Sequence, residues 1–179
     1  FFFLVFFSKN IFRNLLYRKQ LLLKRVNLES VFDTFLTRGN VSPRKPLKVL
    51  ASTRNEKTGS QIIPADATSE EDLQNLVEKS MEILGGKLDF VLHSIGMSIN
   101  VRKGKHYTDQ NYEWTQKGTD VSAMSFHKVM QTLYKADAMN EWGSIVALTY
   151  MAAQRVFPDY NDMADNKAYL ESIARSFGF

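Results

Sequence analysis

Tyr160 and Lys167 lie seven residues apart in a segment whose apolar residues recur at helical spacing. Seven residues turn a helix through ~700°, so both side chains point the same way, roughly 10 Å apart along the axis. Met163, Leu170, Ile173, Ala174 and Phe177 form the apolar stripe, and the pair sits at its edge. There a group can face a cleft while its helix packs on a core. A lysine beside a tyrosine stabilises phenolate and can hold a ligand hydroxyl. The spacing alone is weak, because Tyr17 and Lys24 repeat it. The plain alternatives are a half-buried core tyrosine and a surface pair between Lys167 and Glu171.

Two further stretches can carry chemistry. His93-Ser94-Ile95-Gly96 follows an apolar run, and a small residue and a glycine there let a ligand approach the backbone closely. Pro64-Ala65-Asp66-Ala67 places an acid where a short strand ends and a helix begins. An ordinary turn explains either stretch in isolation. The chain has no cysteine, which excludes disulfides, zinc–thiolate sites and thiol nucleophiles. His93, His106 and His127 show no i,i+4 pairing, so no metal site is expected.

The elements that must hold these residues alternate. Leu47–Ala51 and Ile62-Ile63 read as short strands. Thr68 with Glu71 reads as a capping box for a helix striped by Leu73, Leu76, Val77, Met81 and Leu84, ended by Gly85-Gly86. Residues 88–92 form a buried strand, 97–113 a polar loop, 119–137 a helix, 143–148 a second buried strand and 160–177 a last helix. Apolar strands alternating with helices predict a Rossmann-like three-layer α/β/α fold on a parallel sheet. Ligands in such sheets bind at the C-terminal strand ends. The stretches after 88–92 and after 144–148 are at such ends.

Residues 1–46 differ in character. They hold nine Lys or Arg against two acids, and eight of the 13 phenylalanines, whereas the rest of the chain carries 14 basic and 17 acidic residues. A basic partner-binding role for the folded body therefore does not follow from the overall charge of +4. The apolar run Phe1–Phe7 is too short for a membrane span, and no nucleic-acid partner is expected. The expected organisation is an unrelated basic and aromatic segment at 1–46, a linker at Pro43–Pro46, and the folded domain at 47–179. The segment could be a transit or membrane-surface helix, a native replacement element, or poorly folding sequence from a truncated or misjoined frame. The start at phenylalanine favours the reading of a fragment.

Asp66-Ala67-Thr68, then Asp89-Phe90-Val91-Leu92-His93-Ser94-Ile95-Gly96-Met97-Ser98, then Ala147-Leu148-Thr149-Tyr150 through Tyr160-Asn161-Asp162-Met163-Ala164 to Lys167-Ala168, resembles the NADH-dependent enoyl-acyl-carrier-protein reductases. These belong to the short-chain dehydrogenase superfamily. The likeness runs from about Gly59 to Phe179. Most of the superfamily places its lysine four positions after the tyrosine. Here position 164 is alanine and the lysine stands at 167, the sharper marker of this family. The resemblance implies a role in fatty acid biosynthesis: reduction of the trans-2 double bond of an enoyl thioester carried on acyl carrier protein, with NADH as cofactor. It implies that Tyr160 stabilises the enolate, that Lys167 holds the nicotinamide ribose, and that Tyr150 is the second active-site tyrosine. Asp66 and Ala67 would contact adenine, Ser94, Ile95 and Gly96 would line the cofactor, and Ser98 would lie by the substrate. A cytoplasmic homo-oligomer, a tetramer, is the family expectation.

The likeness stops short at both ends. The family's first strand and glycine-rich phosphate turn are not recognisable, since no glycine precedes Gly39. Its strands and substrate-covering helices beyond this last helix are expected to be missing. Strand 88–92 would then expose an unpaired edge. The alternative function is an inactive fragment or a non-catalytic nucleotide-binding remnant of the same fold.

Overall fold

A computed structural model describes residues 3–7, 50–51 and 61–179. The chain divides into two compact units, residues 1–7 with 48–179, and residues 8–47. The second unit, the expected linker and the beginning of the 47–51 strand lie outside the described residues. Within the first unit, five strands form one sheet in the order β3-β2-β1-β4-β5: β1 Phe3–Phe7, β2 Leu50–Ala51, β3 Gln61–Ile62, β4 Leu88–Ser94 and β5 Met139–Ala147. Helices α1 Glu70–Leu84, α2 Ile99–Arg102, α3 Tyr112–Thr119, α4 Ser125–Lys135 and α5 Asn161–Phe177 complete it.

β2 pairs parallel with β3, and β4 parallel with β5, as the apolar runs predict. The centre differs. β1 lies between β2 and β4 and runs antiparallel to both, with Phe3 opposite Ser94 and Phe7 opposite Phe90. The expected open edge of strand 88–92 is therefore paired, and the sheet is mixed rather than all parallel. A central strand leaves a row of N–H and C=O groups to be satisfied. An apolar run such as Phe1–Phe7 can pair with it in either direction.

α1, α4 and α5 cover one face. Leu73, Leu76 and Val77 of α1 pack with Val91 of β4 and with Val129 and Leu133 of α4. Phe126 of α4 packs with Leu170 and Ile173 of α5. Ile145 of β5 is packed against both groups, and Ala147 against the second. Because Val91 pairs with Ile145, all three helices share a face, and strand alternation puts Phe90, Leu92 and Val146 on the other. Among the described residues, then, helices form one of the two expected outer layers.

Local signals hold with shifts. The α1 cap is Ser69, accepting from Asp72 N at 3.2 Å, one residue beyond the expected Thr68. Thr68 instead bonds Asp66, through both its N–H and its hydroxyl, each at 2.8 Å. Gly85 ends α1 in the left-handed region (φ 75°), its N–H reaching Met81 O at 2.9 Å. The expected 119–137 helix starts earlier: α3 leads through a π-helical turn, Asp120–Met124, into α4. β5 begins four residues before the expected 143 because a bulge precedes Ser144, where Phe90 pairs with Ser144 but Leu88 with Met139. Among the described residues no helix is long and apolar enough to cross a membrane.

Candidate active site

β4 and β5 end side by side, with His93 opposite Ala147. Parallel pairing therefore brings Ser94-Ile95-Gly96 and Leu148-Thr149-Tyr150 to one edge of the sheet. α5 returns across that edge, and Lys167 ties it to both strand ends. Its Nζ donates to Leu148 O at 2.7 Å and to Ile95 O at 3.5 Å, and the residue is 6% exposed. Gly96 lies directly against this helix. A Cβ there would lie 2.6 Å from Met163 Cε and 3.7 Å from Lys167 Nζ.

Tyr160 caps α5. Its ring lies 4.8 Å from that of Tyr150, centroid to centroid, tilted by 46°. Phe157 stands edge-on to both, 5.4 Å from Tyr150 and 6.3 Å from Tyr160. Asp159 and Asn161 flank Tyr160 with φ of 61° and 48°. Asp and Asn tolerate the left-handed region better than other non-glycine residues. Asn161 is also held in place: its Nδ2 donates to Lys105 O at 2.6 Å, and its Oδ1 accepts from Gln110 Nε2 at 2.5 Å.

The electrostatics follow from burial. Burial, then neighbouring Tyr150, raises the Tyr160 phenol above its ordinary value. A raised value keeps Tyr160 a protonated phenol near neutral pH. Burial lowers Lys167. His93 is wholly buried and pushed down to about 3, first by burial and then by the charge of Lys167. It is thus a neutral imidazole in the wall of the site, its Nε2 2.9 Å from Ser125 Oγ and its ring 5.2 Å from that of Phe126.

Two groups thus form at this edge, Tyr150 with Tyr160 and Lys167 with Ile95 and Gly96, and Ser94 closes β4 just before the second. Asp66 and Ala67 sit after β3, three strands from β4 and roughly 14 Å across the sheet. Asp66 Oδ1 accepts both Thr68 bonds, and these, the backbone N–H first, hold its carboxyl below the usual range. Ser98 is 6% exposed, and its hydroxyl donates to Asp162 Oδ1 at 2.5 Å while capping α2 at Val101 N. Its side chain faces the interior.

Sequence reasoning missed the polar layer beneath the site. Asn100, Asn161, Asp162 and Asn166 are all buried. The available signal was Asn166 falling inside the apolar stripe of α5, with Asp162 and Lys167 at its two edges.

An ammonium has three hydrogens, and the two carbonyls beside Lys167 accept two, so the residue fits a role holding a ligand hydroxyl at the strand ends. That suits the ribose next to a nicotinamide.

Comparison with known proteins shows the family. The family model described as Enoyl-(Acyl carrier protein) reductase matches residues 41–179. The enoyl-[acyl-carrier-protein] reductase [NADH] 1 of Rhizobium meliloti is 38% identical over 100 residues, covering 55% of this chain and 36% of that protein. Its second enoyl-[acyl-carrier-protein] reductase [NADH] is 32% identical over 131 residues, covering 73% of this chain and 47% of that protein. The solved FabI–NADH complex from Alistipes finegoldii is 63% identical with a TM-score of 0.66, covering 69% of this chain and 44% of that one. The chain spans less than half the length of these relatives. With a Rossmann-like fold and a family match across most of its length, the chain belongs to the enoyl-(acyl carrier protein) reductase family.

Proposed function

We propose that this chain carries the tyrosine–lysine half of an NADH-dependent enoyl-acyl-carrier-protein reductase of fatty acid biosynthesis, acting on the trans-2 double bond of an enoyl thioester. The observation that carries the reading is Lys167 bridging Leu148 O and Ile95 O, with Tyr160 packed at a tilt against Tyr150 at the same sheet edge. NADH, when bound at that edge, supplies the hydride. Tyr160, kept protonated by its raised pKa, donates a hydrogen bond to the thioester oxygen as negative charge gathers there. Tyr150 fixes the tilt of that phenol. Lys167 offers its third hydrogen to a ribose hydroxyl. Ser94, Ile95 and Gly96 line the cofactor with backbone, and Asp66 with Ala67 borders the adenine end across the strand tips. Ser98 borders the substrate through its main chain, its hydroxyl being held by Asp162. The partner is acyl carrier protein, in keeping with the relatives' names, and the complete enzyme is a homo-tetramer of the cytoplasm.

The test is transplantation. Residues 61–179 replace the matching stretch of the Alistipes finegoldii enzyme, and NADH oxidation is followed with crotonyl-CoA. The chimera should turn over, Tyr160→Phe should mainly lower kcat, and Lys167→Ala should mainly weaken NADH binding. A folded chimera without turnover, or kinetics and NADH affinity unchanged in both variants, refutes the assignment.

A further inference from the structure

Asp162 is wholly buried, and no ion pair among the described residues includes it. Its carboxylate is spent on two contacts instead. Oδ1 accepts the Ser98 hydroxyl at 2.5 Å, and Oδ2 accepts Asn100 Nδ2 at 3.1 Å. Both donors belong to the segment that runs on from Gly96. Asn100 in turn accepts Asn111 N at 3.0 Å and reaches Thr115 Oγ1 at 2.9 Å, so the contact extends to the start of α3. Beside it, Asn161 binds Lys105 O and Gln110, and its Oδ1 also accepts Asp162 N at 2.7 Å. An uncompensated buried carboxylate is costly. Placement in the first turn of α5, where the helix dipole favours a negative charge, offsets part of that cost. An apolar side chain would fill the same space without it. What the carboxylate adds is direction: two acceptors hold the 98–111 segment at a set distance from the helix that Tyr160 opens.

We propose that Asp162 is a positioning residue, a buried carboxylate clamp that fixes the segment after Gly96 against the first turn of α5 and so sets how deeply Tyr160 is seated. Lys167 fastens the same helix to the strand ends one and a half turns further on. The two attachments, one to main-chain carbonyls and one to side-chain donors, determine the gap between Tyr160 and the strand-end backbone. The catalytic meaning of the clamp rests on Tyr160 being the reacting phenol. Its test contains neither nucleotide nor thioester, so it reads the clamp whether or not the chain reduces a substrate.

The experiment compares the full chain with Asp162→Asn and with the exchanged pair Asn100→Asp, Asp162→Asn. In the single variant the amide presents one oxygen where two donors converge, so either the Asn100 or the Ser98 contact is lost. In the exchanged pair the donor and acceptor are swapped and the bond re-forms, while the carboxylate now at position 100 still accepts Asn111 N. Brief trypsin cleavage is read after Lys103 and Lys105, in the clamped segment, against Lys79 and Lys135 in helices. The Tyr160 phenol is titrated by NMR of ring-labelled tyrosine. Asp162→Asn should raise cleavage at Lys103 and Lys105 about tenfold relative to the helical sites, and move the Tyr160 titration down toward an ordinary phenol. The exchanged pair should reverse both. If Asp162→Asn does not fold, Ser98→Ala, which deletes one donor, carries the test with a smaller change in the same direction. Unchanged cleavage and titration, cleavage rising equally at all four sites, or no reversal by the exchanged pair would each overturn the proposal.

Discussion

Acid should unfold this domain through His93 more than through any one carboxylate, and His93→Gln should remove that sensitivity. Ser125 Oγ donates to Val121 O at 2.6 Å, so the contact it makes with His93 must receive the proton from Nε2. The neutral ring therefore carries its hydrogen on Nε2, and Nδ1 is buried without a partner. A second proton on Nδ1 would place a charge in a wholly buried site facing Lys167, which is why the group falls to about 3 from 6.5. The folded value lies below the unfolded one. The unfolded chain therefore binds more protons between the two, and stability drops as pH falls from 6.5 toward 3. The linkage integral gives a loss of about 2 kcal/mol by pH 5 and about 4 kcal/mol by pH 3, on the order of a third to a half of a typical domain's stability. Gln places an amide nitrogen where Nε2 was and does not titrate. Urea unfolding of both proteins from pH 7 to pH 3 separates this effect from the carboxylates, which they share. The two stability curves should diverge below pH 6 by about these amounts. Parallel curves would refute the tautomer and burial argument.

Leu170→Ala should cost about 2–5 kcal/mol, because the side chain is buried among Ala123, Phe126 and Ile173; denaturant titration checks it. Gly96→Ala should cost about 1–3 kcal/mol by forcing Met163 Cε aside, and Met163→Ala added to it should recover part of that loss in the same assay. Lys167 has the opposite alkaline signature to a paired lysine. Its folded pKa is depressed, so stability should rise with pH through the window from that value up to 10.5, and Lys167→Met should flatten the rise in urea unfolding across that window.

The motif-bearing elements were legible because each carries a local signal. Apolar runs at 88–92 and 143–148, a glycine stop at 85 and the stripe on α5 predict where strands end and helices turn, and the site lies at those ends. What could not be read depends on partners distant in sequence. The π-helical turn at Asp120–Met124 coincides with Ser122, which receives Met97 N at 2.8 Å and donates to Met97 O at 3.0 Å. Nothing in the local propensity of that helix announces a contact 25 residues away. The buried face of α5 was hidden for the same reason. Asp162 and Asn166 look like solvent-facing residues until Ser98 and Asn100 donate to the carboxylate and Thr119 to Asn166 Oδ1, while Asn166 Nδ2 is buried without a partner among the described residues. The motif marks Ser98 as a substrate neighbour, but a place in a motif says nothing about which way a hydroxyl turns.

The polarity of β1 bears on how the site can hold a dinucleotide. In an all-parallel sheet a central strand delivers its C-terminal end to the active edge, and a turn there opens a helix whose N–H groups receive phosphate. Here Phe3 pairs with Ser94 and Phe7 with Phe90, so β1 brings its beginning to the edge where Tyr160 and Lys167 lie, and its end to the opposite edge. Hydrogen bonding within the sheet is satisfied either way, which is why a sheet can accept the reversed strand. Phosphate binding is not indifferent to direction, because a helix following β1 would open at the wrong edge. The described residues therefore divide the work unevenly. They bring Tyr160 and Lys167 of the α5 segment to the ends of β4 and β5, two strands whose parallel order is intact. Among the described residues β1 brings its beginning, not its end, to that edge, and the alternative of a non-catalytic remnant draws its force from that one reversed strand.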